Sequence, residues 1–125
     1  MTSISGKKTA NVFIKITVKK YKKEEFIESM LIYKANISKQ PGCLSFEVYQ
    51  NADEDNSCHL LSEWESVLAM EEHFKTHEFE LLLGASKVLG NKFEIETNEV
   101  LHTGDLDWAR RKTRSRMNTR KNTMQ

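Results

Sequence analysis

The hydrophobic pattern of this chain switches between a period of two residues and a period near 3.6, and the order of the switches limits the folds it can adopt. Residues 12–18 place a β-branched apolar side chain at every second position, which predicts a strand. From Glu24 the apolar residues fall three and four positions apart, which predicts an amphipathic helix ending near Gln40, before Pro41-Gly42. The apolar stripe of this helix comprises Phe26, Ile27, Met30, Leu31, Tyr33 and Ile37.

A hairpin is predicted next. Residues 43–50 return to period two, with Leu44, Phe46 and Val48 expected on one face. A cluster of polar turn residues follows, and residues 58–65 form the return strand.

The second helical region is predicted in two pieces. Ser66 is a suitable N-cap for a short helix over residues 67–75, and Thr76 is one for a second piece that ends at Gly90. The expected apolar set of the second piece is Phe79, Leu82, Leu83, Val88 and Leu89. Residues 92–98 alternate again and form the last predicted strand.

The order is therefore β-α-β-β-α-β, with the second helix split. This order predicts an α+β, ferredoxin-like fold, in which both helices cover one face of a four-stranded antiparallel sheet. The other face of the sheet is expected to be mixed rather than polar, with Phe13, Tyr49, Trp64 or their neighbours on it. Because a half-apolar open face usually finds a partner, we expect a homodimer packed sheet to sheet.

Charge divides the chain into two unlike regions. Residues 102–125 hold seven basic and two acidic residues, a net charge of +5, whereas residues 1–101 hold 12 basic and 16 acidic residues, a net charge of −4. All five arginines lie in the basic region. We therefore predict a flexible leader over residues 1–10, a globular domain over residues 11–101 and a basic C-terminal tail over residues 102–125.

The basic run at 110–121 is open to more than one interpretation. It could be a nucleic-acid-binding arm, a localisation signal or a solvated extension. No aromatic residue follows Trp108, which favours the flexible extension and disfavours nucleic acid as a partner. A further alternative is that Trp108 anchors the tail to the acidic body.

Several classes of protein lack support in the sequence. No apolar run approaches the roughly 18 residues of a membrane span, and the first residues contain no signal-peptide core, so we expect a cytoplasmic protein without a membrane partner. No nucleotide-binding or zinc motif is present. His73 and His77 stand four residues apart, but a third metal ligand is not evident, so neither a metal nor another cofactor is expected.

Three motifs and one aromatic residue occur in an order and spacing typical of one family. They are Pro41-Gly42-Cys43-Leu44, Leu61-Ser62-Glu63-Trp64-Glu65, Met70-Glu71-Glu72-His73-Phe74 and Phe79. Over residues 12–101 the chain resembles the antibiotic biosynthesis monooxygenase (ABM) domain family and is most similar in pattern to its quinol monooxygenase-like members. The resemblance implies a dimeric α+β barrel. It also implies oxidation of a small aromatic, quinol or polyketide-like substrate by dioxygen without metal or flavin.

The same resemblance suggests site residues. His73 is the candidate proton acceptor, although a histidine at a helix end could instead cap carbonyl groups. If it is the base, activity should rise with pH through the usual histidine range. Trp64 is either a wall of the substrate pocket or a packing residue. Glu63 could orient His73 or be solvated, and Tyr49 and His59 are further polar candidates for substrate binding.

Two other functions remain open at this point. One is a protein of the same fold that binds a small molecule, or modifies a signalling molecule, without oxygenase activity. The other is a dimeric interaction protein with a basic tail. The haem-degrading branch of the family is disfavoured. Where that branch has an asparagine this chain has Ile14 or Lys15, and its tryptophan and histidine are replaced by His73 and Leu83. Asn11 could match the asparagine only if the alignment shifts.

Overall fold

The computed structural model describes residues 8–114 and contains one four-stranded antiparallel sheet. Its elements are β1 (Ala10–Val18), α1 (Lys23–Ile37), β2 (Cys43–Gln50), β3 (Ser57–Trp64), α2 (Val67–Phe74), α3 (His77–Leu89) and β4 (Gly90–Glu99). The strands are ordered β2-β3-β1-β4. The predicted ferredoxin-like α+β fold is confirmed. Most of the predicted leader and the end of the predicted tail lie outside the described residues, and β1 begins inside the predicted leader, at Ala10.

The core lies between the sheet and the helices. Strand β1 is central and pairs with β3 on one side and β4 on the other. Its alternate residues, from Ala10 to Val18, are almost fully buried against the helices. From α1 the residues Phe26, Met30 and Ile37 close this layer, whereas Leu31 is 50% exposed and lies outside it.

A β-bulge in β2 changes which residues enter the core. Cys43 lies opposite Trp64 and Ser45 lies opposite Glu63, so that Leu44 has no partner on β3. Simple alternation predicts that Leu44 faces the same way as Phe46, but the extra residue of the bulge turns Leu44 outward, where it is 56% exposed. The prediction for Leu44 is therefore wrong, whereas Phe46 is buried as expected.

Both predicted helix caps are present. The Ser66 side chain accepts a hydrogen bond from the backbone N–H of Ala69, and that of Thr76 accepts one from Phe79. The predicted apolar set of α3 is partly wrong, because Leu83 and Val88 are exposed. The buried stripe follows Phe79, Leu82, Ser86 and Leu89 instead. Ser86 is accommodated there because its hydroxyl donates to the Leu82 carbonyl oxygen at 2.8 Å.

Trp64 does not lie on the open face of the sheet. It pairs with Ala10 and Cys43 and is fully buried on the helix side. The register instead places Phe13, Lys15, His59 and Leu61 on the open face. This face remains mixed in character, as predicted, but it has one aromatic residue fewer than expected.

The part of the tail that the structure describes contains a helix over residues 106–114, which the sequence pattern did not predict. Its first turn is capped by Asp105, whose carboxylate accepts from the backbone N–H of Trp108 at 3.0 Å. The Trp108 ring packs on Gly104, where a Cβ atom would come within 2.6 Å of it, and lies 5.9 Å from the His102 ring. These contacts join Trp108 to its own tail, not to the body. In residues 8–114 no helix has the length and apolar character needed to cross a bilayer.

Candidate functional site

His73 lies inside the aromatic part of the core, at the end of α2. It is 3% exposed. Its ring stacks on that of Trp64, with 4.3 Å between centroids and 20° between planes. The rings of Phe74 and Phe79 approach it at 5.6 Å and 5.0 Å. An imidazole is therefore held between apolar rings, where a positive charge would be poorly solvated.

One side-chain hydrogen bond orients this imidazole. Nδ1 of His73 lies 2.7 Å from Oε1 of Gln40. The Gln40 amide nitrogen lies 3.2 Å from the Thr76 hydroxyl and 3.3 Å from a carboxylate oxygen of Glu78. Because a carboxylate only accepts, the NH₂ group of Gln40 must face Glu78, and its carbonyl oxygen must face His73. His73 therefore donates from Nδ1, and the lone pair that can take up a proton is on Nε2.

Burial controls the charge of this histidine. Desolvation lowers the pKa of His73 from 6.5 to about 4, and the nearby charge of Glu78 opposes part of this effect. The ring is therefore neutral at neutral pH, and Nε2 is unprotonated. If His73 is the base, this lower pKa moves the expected rise of activity from the ordinary histidine range towards pH 4.

Trp64 has no free polar group. Its indole N–H donates to the Ser62 hydroxyl at 2.9 Å, and both side chains are buried on the helix side of the sheet. Only the face of the ring remains for contact with a planar group, and His73 occupies that face. Of the five residues proposed from the sequence, Trp64 and His73 are brought together.

The other three proposed residues lie on the opposite face of the sheet. Tyr49 and His59 face each other across β2 and β3. The His59 ring lies 5.2 Å from the Phe13 ring. Glu63 accepts a hydrogen bond from the Ser45 hydroxyl at 3.1 Å. With the sheet between them, Glu63 is not positioned to orient His73.

Gln40 takes the orienting role that the sequence suggested for Glu63. Sequence reasoning missed it because Gln40 and His73 are 33 residues apart. Its one local signal is its position directly before the Pro41-Gly42 turn, where a polar residue is ordinary.

The open face also carries a buried polar atom without a partner. Oδ1 of Asn11 is shielded from solvent and accepts no hydrogen bond from residues 8–114. Asn11 lies beside Glu63 of β3 and Asn98 of β4. Leaving such an oxygen unsatisfied costs free energy, so a donor from outside the described residues would stabilise it.

A separate cleft of about 320 Å³ lies between α3 and β4. Leu83 and Phe93 supply apolar walls, and Lys87 and Lys92 also line it. The cleft is lined by neither His73 nor Trp64. Its chemistry suits a small apolar molecule that carries a negative charge.

The structure does not support the metal interpretation of His73 and His77. Between residues 8 and 114 there is no group of three or more His, Cys, Asp or Glu side chains that could hold a metal ion. His77 begins α3, and its exposed ring lies 3.9 Å from the Glu80 carboxylate. The two histidines therefore stand on different helices.

Comparison with known proteins assigns the family. The family model for antibiotic biosynthesis monooxygenases matches residues 9–82. The chain belongs to the antibiotic biosynthesis monooxygenase family. The ABM match includes Gln40, Trp64 and His73, whereas the residues that line the α3–β4 cleft and the whole basic tail lie beyond it.

Individual proteins resemble the chain in sequence or in fold. An uncharacterised protein of Synechocystis sp. is 33% identical over 92 residues, which are 73% of this chain and 63% of the relative. Among solved structures of similar fold, SnoaB of Streptomyces nogalater, a cofactor-independent oxygenase, superposes with a TM-score of 0.68 at 20% identity. That match covers 76% of this chain and 95% of SnoaB. A conserved protein of Methanosarcina mazei gives a TM-score of 0.69 at 22% identity, covering 73% of this chain and 91% of its own.

Proposed function

We propose that the protein is a monooxygenase that oxidises a small aromatic, quinol or polyketide-like substrate with dioxygen and uses neither metal nor flavin. The observation that carries this proposal is the buried His73, neutral at physiological pH, with Nδ1 held by Gln40 and Nε2 left as the proton acceptor. Membership of the ABM family and the oxygenase activity named for SnoaB support the reaction class.

The reaction needs only a base and a dry site. His73 takes a proton from an activated C–H or O–H group of the substrate, and the resulting anion reduces dioxygen. For an activated methylene group, two C–H bonds break and one C=O bond forms. One oxygen atom enters the product, and the other leaves as water with the two hydrogens. The substrate carbon supplies all the electrons, so the balance requires no external reductant.

The packing around His73 sets the conditions for substrate entry. Because the ring is 3% exposed, the substrate reaches Nε2 only when the α2–α3 junction moves or when a neighbouring ring gives way. Trp64 can then stack on a planar substrate, as it now stacks on His73. Gln40 acts as a positioning residue, because it selects the tautomer that leaves Nε2 unprotonated.

A second candidate function is favoured by the α3–β4 cleft. Its apolar walls and two lysines would hold a small anionic molecule without any reaction at His73. This alternative is a binding or signal-modifying protein of the same fold. It predicts binding without oxygen consumption.

Oxygen uptake distinguishes the two functions. Purified protein is mixed with hydroquinones and phenolic aromatic ketones under isotopically labelled dioxygen. We expect consumption of one O₂ per product, one labelled atom in the product, and an undiminished rate after treatment with a chelator. A substrate that binds and shifts the melting temperature but consumes no oxygen would contradict the oxygenase and assign the binding function.

The open sheet face is proposed as the dimer interface. Phe13 and Leu61 are half-buried apolar residues at its centre, beside the unsatisfied Asn11 oxygen. We expect the protein to sediment at about twice its 14.5 kDa chain mass at micromolar concentration, and Phe13→Glu to shift it to monomer. Val88→Glu, on the exposed side of α3, is the matched control and should leave the dimer intact. A wild-type monomer would contradict this proposal.

A further inference from the structure

The helix over residues 106–114 carries a cluster of exposed basic side chains. It carries Arg110, Arg111, Lys112 and Arg114, and all four are exposed. The globular domain contains no arginine at all. The helix also lies beyond the part of the chain that matches the family model, so the family does not account for it.

The helix collects its arginines on one side. Arg110 and Arg114 are one turn apart, and Arg111 lies three residues before Arg114. The three side chains border a common cleft of about 220 Å³, together with Asp107. The ion pairs within residues 8–114 have lysine or histidine as the cation, and none of them involves an arginine. The guanidinium groups are therefore available to an external anion.

Specific contacts stabilise the first turns of this helix. Asp105 caps it, and Trp108 packs on Gly104 and lies near Lys112, whose ammonium group is 5.7 Å from the indole centroid. Trp108 and Lys112 therefore have a structural role in this helix. Arg110, Arg111 and Arg114 have no comparable structural task.

The chemistry of the surface selects the kind of anion. A guanidinium group binds a phosphate through two parallel hydrogen bonds, and three of them along one helix suit a row of phosphates. Binding to a lipid surface would need an apolar stripe along the helix. Residues 109–114 contain no large apolar side chain, so the exposed Leu106, one turn before Arg110, is not continued into an apolar stripe along the arginine side. A repeated phosphate backbone therefore fits better than a bilayer.

We propose that the helix over residues 106–114 is a nucleic-acid-binding arm that holds the phosphate backbone through Arg110, Arg111 and Arg114. The net charge of +5 over residues 102–125 attracts the polyanion, whereas the net charge of −4 over residues 1–101 keeps the globular domain away from it. Binding is independent of base sequence, because the arm offers only phosphate contacts. None of the three arginines belongs to the His73 site, so binding at the helix leaves that site free for its own chemistry.

The test measures affinity against salt concentration. The full chain is titrated into labelled DNA and RNA duplexes of about 20 base pairs between about 50 and 200 mM salt. The variant Arg110→Gln/Arg111→Gln/Arg114→Gln is compared with Lys20→Gln/Lys39→Gln/Lys75→Gln, which removes the same charge from exposed positions of the body. Since each phosphate contact contributes about 0.9 to the slope of log K against log salt for DNA, we expect the arginine variant to lose about 2.7 of slope and at least about tenfold in affinity.

The remaining measurements distinguish an arginine-specific arm from binding by net charge and from binding to membranes. The body variant should change affinity by less than about twofold, and replacing the three arginines by lysine should keep most of the slope, because the charge is retained. Equal losses of affinity in the arginine and body variants would show that binding follows net charge alone and would overturn the proposal. Tighter binding to vesicles containing phosphatidylserine than to the duplexes, at equal phosphate concentration, would assign the helix to membranes and would equally overturn it.

Discussion

Replacing Phe46 by aspartate is expected to leave the protein largely unfolded. Phe46 is 3% exposed and lies on β2 opposite Ser62, on the side of the sheet that faces the helices. Removing a buried phenylalanine side chain costs about 3–5 kcal/mol, and burying an unpaired carboxylate adds several more. A domain of this size has a free energy of unfolding of about 5–15 kcal/mol, so the sum consumes most or all of it. Urea titration followed by circular dichroism measures the effect.

The control for this variant lies two residues earlier on the same strand. Leu44→Asp introduces the same charge at a side chain that is 56% exposed, and it should change the free energy of unfolding by no more than about 1 kcal/mol. Strict alternation would make the two variants equally damaging. Equal loss of stability in both would therefore show that the bulge at Leu44 is absent in solution.

Replacing His73 by glutamine is expected to lower oxygenase turnover by about 10²–10⁴-fold, the usual contribution of a positioned general base. Glutamine fills much of the imidazole volume and can still bond to Gln40, so the variant should fold. His77→Ala is the control, since that side chain is 71% exposed and belongs to a different helix, and turnover should stay within about twofold. A fully active His73→Gln enzyme would exclude His73 as the base.

The pH dependence separates a catalytic His73 from a merely structural one. Because burial lowers the pKa of His73 to about 4, turnover should be flat between about pH 6 and pH 8 and should fall only as the pH approaches 4. Stability should also change with pH. The unfolded chain takes up a proton below about pH 6.5 and the folded chain does not, so stability is complete above that value and declines as the pH falls towards 4, by on the order of 3 kcal/mol.

His73→Gln should remove this pH-dependent part of the stability whatever the function. Loss of turnover at every pH, in a variant whose melting temperature at neutral pH is close to that of the wild type, would identify a catalytic role. If His73 were only structural, the variant would change the melting temperature and its pH dependence and leave turnover intact.

Much of the fold could be predicted from the sequence because its causes are local. A strand over residues 12–18 follows from β-branched residues at period two, and the breaks at Ser66 and Thr76 follow from side chains that accept hydrogen bonds from backbone groups three residues later. The resemblance carried by the Pro41-Gly42 turn and by the Trp64 and His73 motifs gave the family, which the family model confirmed.

The candidate site was only partly predictable, because it depends on pairing between distant segments. In β3 both faces contain one leucine, Leu60 and Leu61, so alternation alone does not show which face is buried. The register with β1 decides it, by placing Trp64 opposite Ala10 on the helix side. The same register put Glu63 on the open face and away from His73.

The sequence by itself determined the order of the elements, their caps and the division between an acidic body and a basic tail, since each depends on residues within a few positions of one another. Tertiary structure alone decided that Leu44 leaves the core, that Gln40 orients His73 and that the imidazole is neutral. These depend on strand register, on a contact across 33 residues and on exclusion of water by Trp64 and Phe79. No local pattern encodes them, because register and desolvation are properties of surfaces that meet only in the folded chain.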